Sequence, residues 1–235
     1  MTGALSALLL VLAAGLGSAA AADGPGTPAP ASEAVFSHPA DAGVLAGLLG
    51  TQALAVAATA GVRGHFEQDR YLAELPKPLR SQGDFLFARG IGVWWHTRTP
   101  FDSEFVLTGE RAQSRDEGGV ALELRAAEQP GVAAAARIFL ALFALDFKQL
   151  GDDFQLFAMP VAGSGGGRWQ LGLRPRMPAL AAFFREALVD GGDYASRIEL
   201  RDAGGDRTEI RLLDAAAIRG DLSAAERSHF APSVR

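Results

Sequence analysis

Apolar and polar positions alternate with a period of two over much of the chain beyond Val62. Phe105 and Leu107 sit either side of Val106 and follow Glu104; Phe154, Leu156 and Ala158 alternate with Gln155 and Phe157. Trp169, Leu171 and Leu173 alternate with Gln170, Gly172 and Arg174, and Ile198 and Leu200 with Arg197, Glu199 and Arg201. Thr208, Ile210 and Leu212 alternate with Arg207, Glu209 and Arg211. Such a pattern gives a sheet with one wet face and one apolar face. Residues 163–167 and 202–206 have the length and composition of hairpin turns. Together these features predict one continuous antiparallel sheet of about seven or eight strands. Its densest stretch is Gly83–His96, closed by Thr99-Pro100-Phe101. Two strands, apolar on both faces, meet there at Arg89-Gly90 and carry two of the three tryptophans. A bare hairpin could not keep that surface from water. A core, a lid or an apolar ligand must cover it.

Helical periodicity appears in three places. Asp41 to about Ala60 carries Leu45, Leu48, Leu49, Leu54 and Val56 among alanines, with Asp41 placed to cap its start. Val132–Leu150 carries Ile138, Phe139, Leu142, Phe143, Leu145 and Phe147, an apolar face so wide that the helix is either buried or set against a second apolar surface. Residues 222–227 read as a short helix capped by Ser223. The segment 178–189 fits either a helix or a short turn feeding a strand. Asp152 and Asp153 read as turn residues.

The amino terminus divides differently. Residues 1–22 read as a secretory signal: Leu5 to Leu16 is apolar but too short to span a bilayer, and Ala20-x-Ala22 offers a cleavage site. Met1-Thr2-Gly3-Ala4 holds no lysine or arginine, so the terminal amine supplies the positive charge or the start lies upstream. Residues 23–40 are rich in proline, alanine and glycine and are expected to be a disordered arm. Residues 41–235 then form a single domain, long enough for one sizeable core.

The chain has 235 residues, no cysteine and a net charge of −5. Without cysteine no disulfide staples the fold, and an acidic balance argues against nucleic acid. The four histidines, His38, His65, His96 and His229, share no ligand spacing, so neither a metal nor another cofactor is expected. Gly163-Ser164-Gly165 lacks the strand-turn-helix context of a nucleophile elbow, and the glycine run lacks the Gly-Lys-Ser/Thr of a phosphate loop. No catalytic constellation emerges, and the expectation is a protein that is not an enzyme. Arg89 stands apart, ending an apolar strand beside aromatic residues. It is either a solvated turn residue or a latch whose rigid fork of donors holds backbone carbonyls of a facing segment.

Several motifs, in order, resemble the LolA family of periplasmic carriers of outer-membrane lipoproteins. They are Gly64-His65-Phe66-Glu67-Gln68, Ser81-Gln82-Gly83-Asp84-Phe85-Leu86-Phe87, Val93-Trp94-Trp95, Pro100-Phe101, Val106-Leu107-Thr108-Gly109, Gly151-Asp152-Asp153-Phe154-Gln155-Leu156 and Gly204-Gly205-Asp206-Arg207-Thr208. The resemblance covers roughly residues 62–213. The chain departs from the family pattern at residues 110–117, which lack the expected aromatic strand, and the lid segment is shorter.

The resemblance implies an α+β, mainly β fold: a curved, unclosed antiparallel barrel with helices covering its concave face. It makes Arg89 the lid latch and Val132–Leu150 part of the lid. The implied lining of an acyl cavity is Phe85, Phe87, Val93, Trp95, Phe105, Leu107, Ile138, Leu142, Phe154, Leu156, Trp169 and Leu171. The implied activity is carriage of lipoprotein acyl chains through the periplasm by a monomer, from an inner-membrane releasing transporter to an outer-membrane receptor. Two alternatives are a carrier of another acylated molecule, such as a glycolipid or a fatty-acyl or polyene product, and a lipid-sensing regulatory module.

Overall fold

A computed structural model describes residues 33–116, 119–128, 140–161, 167–181, 184–202 and 204–231. The proposed signal 1–22 and most of the arm lie outside the described residues. Twelve strands form one sheet: β1 (Pro39–Ala40), β2 (Gly61–Tyr71), β3 (Leu79–Ala88), β4 (Gly92–Thr99), β5 (Ser103–Thr108), β6 (Arg111–Asp116), β7 (Gly119–Arg125), β8 (Phe154–Pro160), β9 (Trp169–Pro175), β10 (Glu186–Gly191), β11 (Ala195–Arg201) and β12 (Arg207–Ile218). Their order is β1-β8-β9-β10-β11-β12-β2-β3-β4-β5-β6-β7, and every recorded pair is antiparallel. No pairing among the described residues joins β7 to β1, so the sheet is not closed. Among the described residues the numbered helices are α1 (Ala42–Ala57), α2 (Phe147–Asp153), α3 (Pro178–Ala181) and α4 (Ala224–Ser228), and residues 140–144 are helical as well.

Register explains which residues meet. Phe85 faces Trp95 and Trp95 faces Phe105 across β3, β4 and β5; Phe87, Val93 and Leu107 form the next row. With Phe66, Phe154, Leu156, Trp169, Leu171, Ile198, Ile210 and Leu212 they join one buried cluster on one face. Phe66 stacks on Trp95, ring centroids 3.9 Å apart. That contact needs Gly83, opposite Phe66 in register: a Cβ there would stand 1.8 Å from the His96 carbonyl oxygen and 2.9 Å from the Phe66 ring.

Helix α1 begins where Asp41 predicts: its carboxylate accepts from the Val44 N–H at 2.9 Å. Leu45, Leu49 and Val56 bury one side of it in the concave cluster. The expected single helix over 132–150 is interrupted. Residues 129–139, including Ile138, lie outside the described residues, and residues 140–144 are helical. At Leu145 the backbone turns left-handed, φ 52°. The Leu145 N–H donates to the Leu142 carbonyl and the Asp146 N–H to the Ala141 carbonyl, which closes one helix. Asp146 then caps α2 by accepting from the Gln149 N–H. Asp152 and Asp153 close α2 rather than form a turn, and Asp153 is buried.

Two further expectations are corrected and one open reading is decided. The sheet has more strands than the alternation suggested. Segment 178–189 resolves into the short α3 and strand β10. Residues 33–40, assigned to the arm by composition, are ordered: Glu33–Ser37 form a 3-10 turn and Pro39–Ala40 pair with β8. Val35 of that turn is fully buried against Phe157 and Leu188 on the convex face.

A carboxy-terminal strap covers another part of the convex face. Leu222 and Phe230 pack on Leu86, Trp94 and Val106, while His229 stacks on Trp94 at 4.0 Å between centroids. Arg111 donates to the Phe230 carbonyl at 2.7 Å. Ser223 and Glu226 form a reciprocal capping box on α4, and Arg63 pairs with Glu226 at 2.7 Å. The Ser223 hydroxyl and N–H, then Arg63, hold the Glu226 carboxyl below its ordinary pKa. A depressed carboxylate stabilises above its unfolded pKa, and that contribution fades as pH falls through the folded value. The difference in unfolding midpoint between wild type and Glu226→Gln should therefore be widest at about pH 7 and narrower at about pH 3. An equal gap at both would remove this role of the carboxylate.

Candidate functional site

The concave face is apolar across both halves of the sheet, and α1 with residues 140–145 lie against it. Phe143 stacks on Phe87 at 5.5 Å and meets Phe85 at 6.5 Å between centroids. Phe184 stacks on Phe154 at 5.9 Å. Beneath the helical residues lies a cavity of about 30 Å³, lined by Val56, Phe85, Phe143, Leu145, Ile198 and Leu212 among others. Phe85 on β3 and Ile198 on β11 are separated by β12 and β2, yet both reach this one small space, so the sheet curves here. The volume holds about one or two waters and no acyl chain. Phe143 and Leu142 fill what would otherwise be an apolar trough.

Among the predicted lining, Phe85, Phe87, Val93, Trp95, Phe105, Leu107, Phe154, Leu156, Trp169 and Leu171 are all buried in the concave cluster. Leu142 is half-buried against it. Trp169 also donates its indole N–H to the Gly192 carbonyl at 2.8 Å, which satisfies its one polar atom. Val56, Val62, Phe143, Leu145, Tyr194, Ile198 and Leu212 also line the cavity and were not among the predicted lining. Ile198 and Leu212 carried the signal in their alternation; Tyr194 carried none.

Arg89 sits on the β3–β4 turn, where Gly90 takes φ 73°. Its Nε donates to the Thr59 carbonyl at 2.7 Å, and its N–H to the Ala60 carbonyl at 2.9 Å. Both acceptors lie just past the end of α1. The Thr59 hydroxyl in turn donates to the Val56 carbonyl at 2.8 Å. The arginine therefore ties the turn of a central hairpin to the exit of α1, and not to residues 140–145.

Ionisable groups gather on the convex face instead. Asp84 receives His65 at 2.6 Å, His96 at 3.9 Å and Arg98, and His96 also meets Asp102 at 3.0 Å. Among the described residues no group of three or more histidines and acids is placed to hold a metal. Further along the sheet, Arg197, Glu199, Arg201, Arg207 and Glu209 form a buried ion-pair lattice. In register Glu199 faces Glu209, Arg197 faces Arg211 and Arg201 faces Arg207. Attraction runs along the diagonals: Arg197–Glu209 at 3.1 Å and Arg207–Glu199 at 3.7 Å. Burial alone would lower the Arg197 pKa; hydrogen bonds and charge from Glu209, then Asp190 and Glu199, outweigh it and raise the guanidinium above its ordinary value.

No family model and no curated protein sequence matches the chain. In structure the chain is similar to a LolA superfamily protein. That protein, from Nitrosomonas europaea, is 10% identical with a TM-score of 0.42, over 79% of this chain and 96% of that one. A DUF1329 family protein from Desulfovibrio piger is 11% identical, TM-score 0.41, over 78% of this chain and 96% of that one. MucB is 12% identical, TM-score 0.40, over 78% of this chain and 61% of its own. Among the described residues no helix is long and apolar enough to cross a membrane.

Proposed function

We propose that this protein is a periplasmic carrier that shields acyl chains on its concave face, with lipoproteins as the cargo. The observation that carries the reading is the cover on that face. An unclosed sheet presents one apolar surface across both its halves, and short helical segments cover it where a sandwich would have a second sheet. Burying an acyl chain yields about 0.8 kcal/mol per methylene without any directional contact. The concave face offers mainly aromatic and aliphatic surface, which suits a ligand read by shape and not by chemistry. Binding rather than catalysis is the proposed activity.

Loading requires the cover to move, because the closed cavity is far too small. Residues 140–145 would leave Phe85 and Phe87, and the acyl chain would take their place. Helix α1 packs with those residues as one cover and would move with them, so Arg89 sets the balance by holding the exit of α1. A charged donor on a carbonyl is worth about 1.5–3 kcal/mol when sheltered, and an exposed arginine delivers roughly 1 kcal/mol. Arg89→Leu should therefore speed exchange of a bound apolar probe about fivefold, read by stopped-flow fluorescence. Unchanged exchange would remove the latch role.

The resemblance of the ordered motifs supports lipoprotein as cargo, the signal-like residues 1–22 support the periplasm, and a transporter and a receptor in the two membranes follow from both. Mass spectrometry of the mature protein, purified from a Gram-negative periplasm and denatured, tests this. Acylated polypeptides enriched on the protein are the expected result. Glycolipids or free fatty-acyl products alone would replace lipoprotein with another acylated cargo. An empty protein would favour a lipid sensor or a plain packed core.

A further inference from the structure

Helix α1 is held at both ends, and unequally. At its exit Arg89 donates to the Thr59 and Ala60 carbonyls. Its entry is fastened from the opposite face of the sheet. The turn Glu33–Ser37 packs on the convex face and α1 on the concave one, and the chain passes between them at the sheet edge, where Pro39 and Ala40 pair with Phe157 and Leu156 of β8. A notch receives the turn. Leu188, Gly172 and Phe157 stand in one row across β10, β9 and β8. The glycine leaves a gap between two large side chains, and Val35 fills it, fully buried. A Cβ on Gly172 would stand 3.2 Å from Val35 and 2.9 Å from the Phe36 ring. Phe36 meets Phe157 edge-on at 5.3 Å between centroids, and the Arg174 guanidinium lies 4.4 Å from the Phe36 centroid. Glu33 reaches Arg201 at 2.8 Å, and the Ala158 N–H donates to the His38 carbonyl at 3.0 Å.

We propose that residues 33–40 are the pivot of the concave cover. The chain is clipped over the sheet edge by Val35 in its notch, and α1 swings from this clip when Arg89 releases the far end. The two fastenings differ in kind. Val35 leaves the notch only by exposing its whole side chain to water. The carbonyls that Arg89 holds can turn to water instead, at little net loss. The entry is therefore the end that stays and the exit the end that lets go. Ala40 sits beside Leu156 in register, so the clip also fixes where α1 starts over the concave face. What the swing uncovers rests on the carrier reading; the clip and the direction of opening do not.

The chain has no cysteine, so a single introduced thiol reports its own exposure to N-ethylmaleimide. Three sites, each used alone in the mature, delipidated protein, read three places: Leu45→Cys the entry of α1, Val56→Cys its exit and Leu107→Cys the sheet, all buried in the parent. Arg89→Leu should speed labelling about fivefold at the exit thiol and less than about twofold at the entry thiol. Val35→Asp should speed the entry thiol about tenfold or more, and the sheet thiol less than about twofold. Phe36→Ala, which keeps the buried valine, should speed the entry thiol about threefold, and it carries the test if Val35→Asp does not fold. Circular dichroism establishes which variants are folded. An entry thiol indifferent to the folded clip variants, equal speeding of both helix thiols by Arg89→Leu, or equal speeding of the sheet thiol by the clip variants would each overturn the proposal. No cargo enters the assay, so a protein that purifies empty yet labels as expected would refute the carrier reading and keep this one.

Discussion

Glu199→Ala should lower the free energy of unfolding by about 3 kcal/mol, among the largest losses for a single residue outside the aromatic core. Glu199 is fully buried on the convex face of β11. Arg197 reaches it at 2.5 Å, Arg201 at 2.6 Å and Arg207 at 3.7 Å. Removing it leaves three guanidinium groups around an empty, dry position. Each keeps some compensation: Arg197 has Glu209 and Asp190, Arg201 has Glu186 and the exposed Glu33, and Arg207 has Glu209. That residual pairing places the cost at the lower end of the 3–5 kcal/mol expected for a broken buried network. Glu199→Leu should do no better, because the arginines remain. Urea unfolding measures it, and a loss below about 1 kcal/mol would mean that the lattice redistributes its charge freely.

Phe143→Ala should act in the opposite sense on binding and on stability. The ring stacks on Phe87 and touches Phe85. It is half-buried, so its loss should cost about 2 kcal/mol, less than a fully buried phenylalanine. The same loss empties a ring-sized space beside the existing cavity. An uncharged naphthylamine probe no longer has to expel the ring, so its affinity should rise about thirtyfold, the fold-change that corresponds to 2 kcal/mol. Fluorescence titration decides. A stability loss without any gain in probe affinity would show that the segment collapses into the gap and that Phe143 is ordinary core.

Much of this fold was legible in the residues. Asp41 and Ser223 announced two helix starts because a side-chain oxygen must meet the free N–H groups there. Strict alternation in β9, β11 and β12 fixed which side chains share a face. The unread parts have physical reasons. Strand β6 places Ala112 in the concave cluster and turns Gln113 and Arg115 toward Glu123, Glu104 and the strap, so it shows no apolar rhythm. Strand β10 is apolar on both faces because the 3-10 turn covers Leu188, and such a run can be strand or helix. The break at Leu145 puts leucine where glycine is usual, and the cap at Asp146 lies inside an apolar run that reads as one helix. The latch geometry of Arg89 was open in the sequence, since nothing local names Thr59 as its acceptor.

Strand β12 pairs with β2 from Arg207 opposite Tyr71 to Ile218 opposite Gly61, and this seam joins the two halves of the sheet. One flank, β2 to β7, is complete once Arg125 has been made; the other cannot dock until the last long strand exists. A chain that emerges from its amino-terminal end therefore carries the bare edge of β2 until β12 has been made. The order of manufacture, not the strength of any contact, makes that edge the place where misassembly begins and where a holding chaperone has the most to protect.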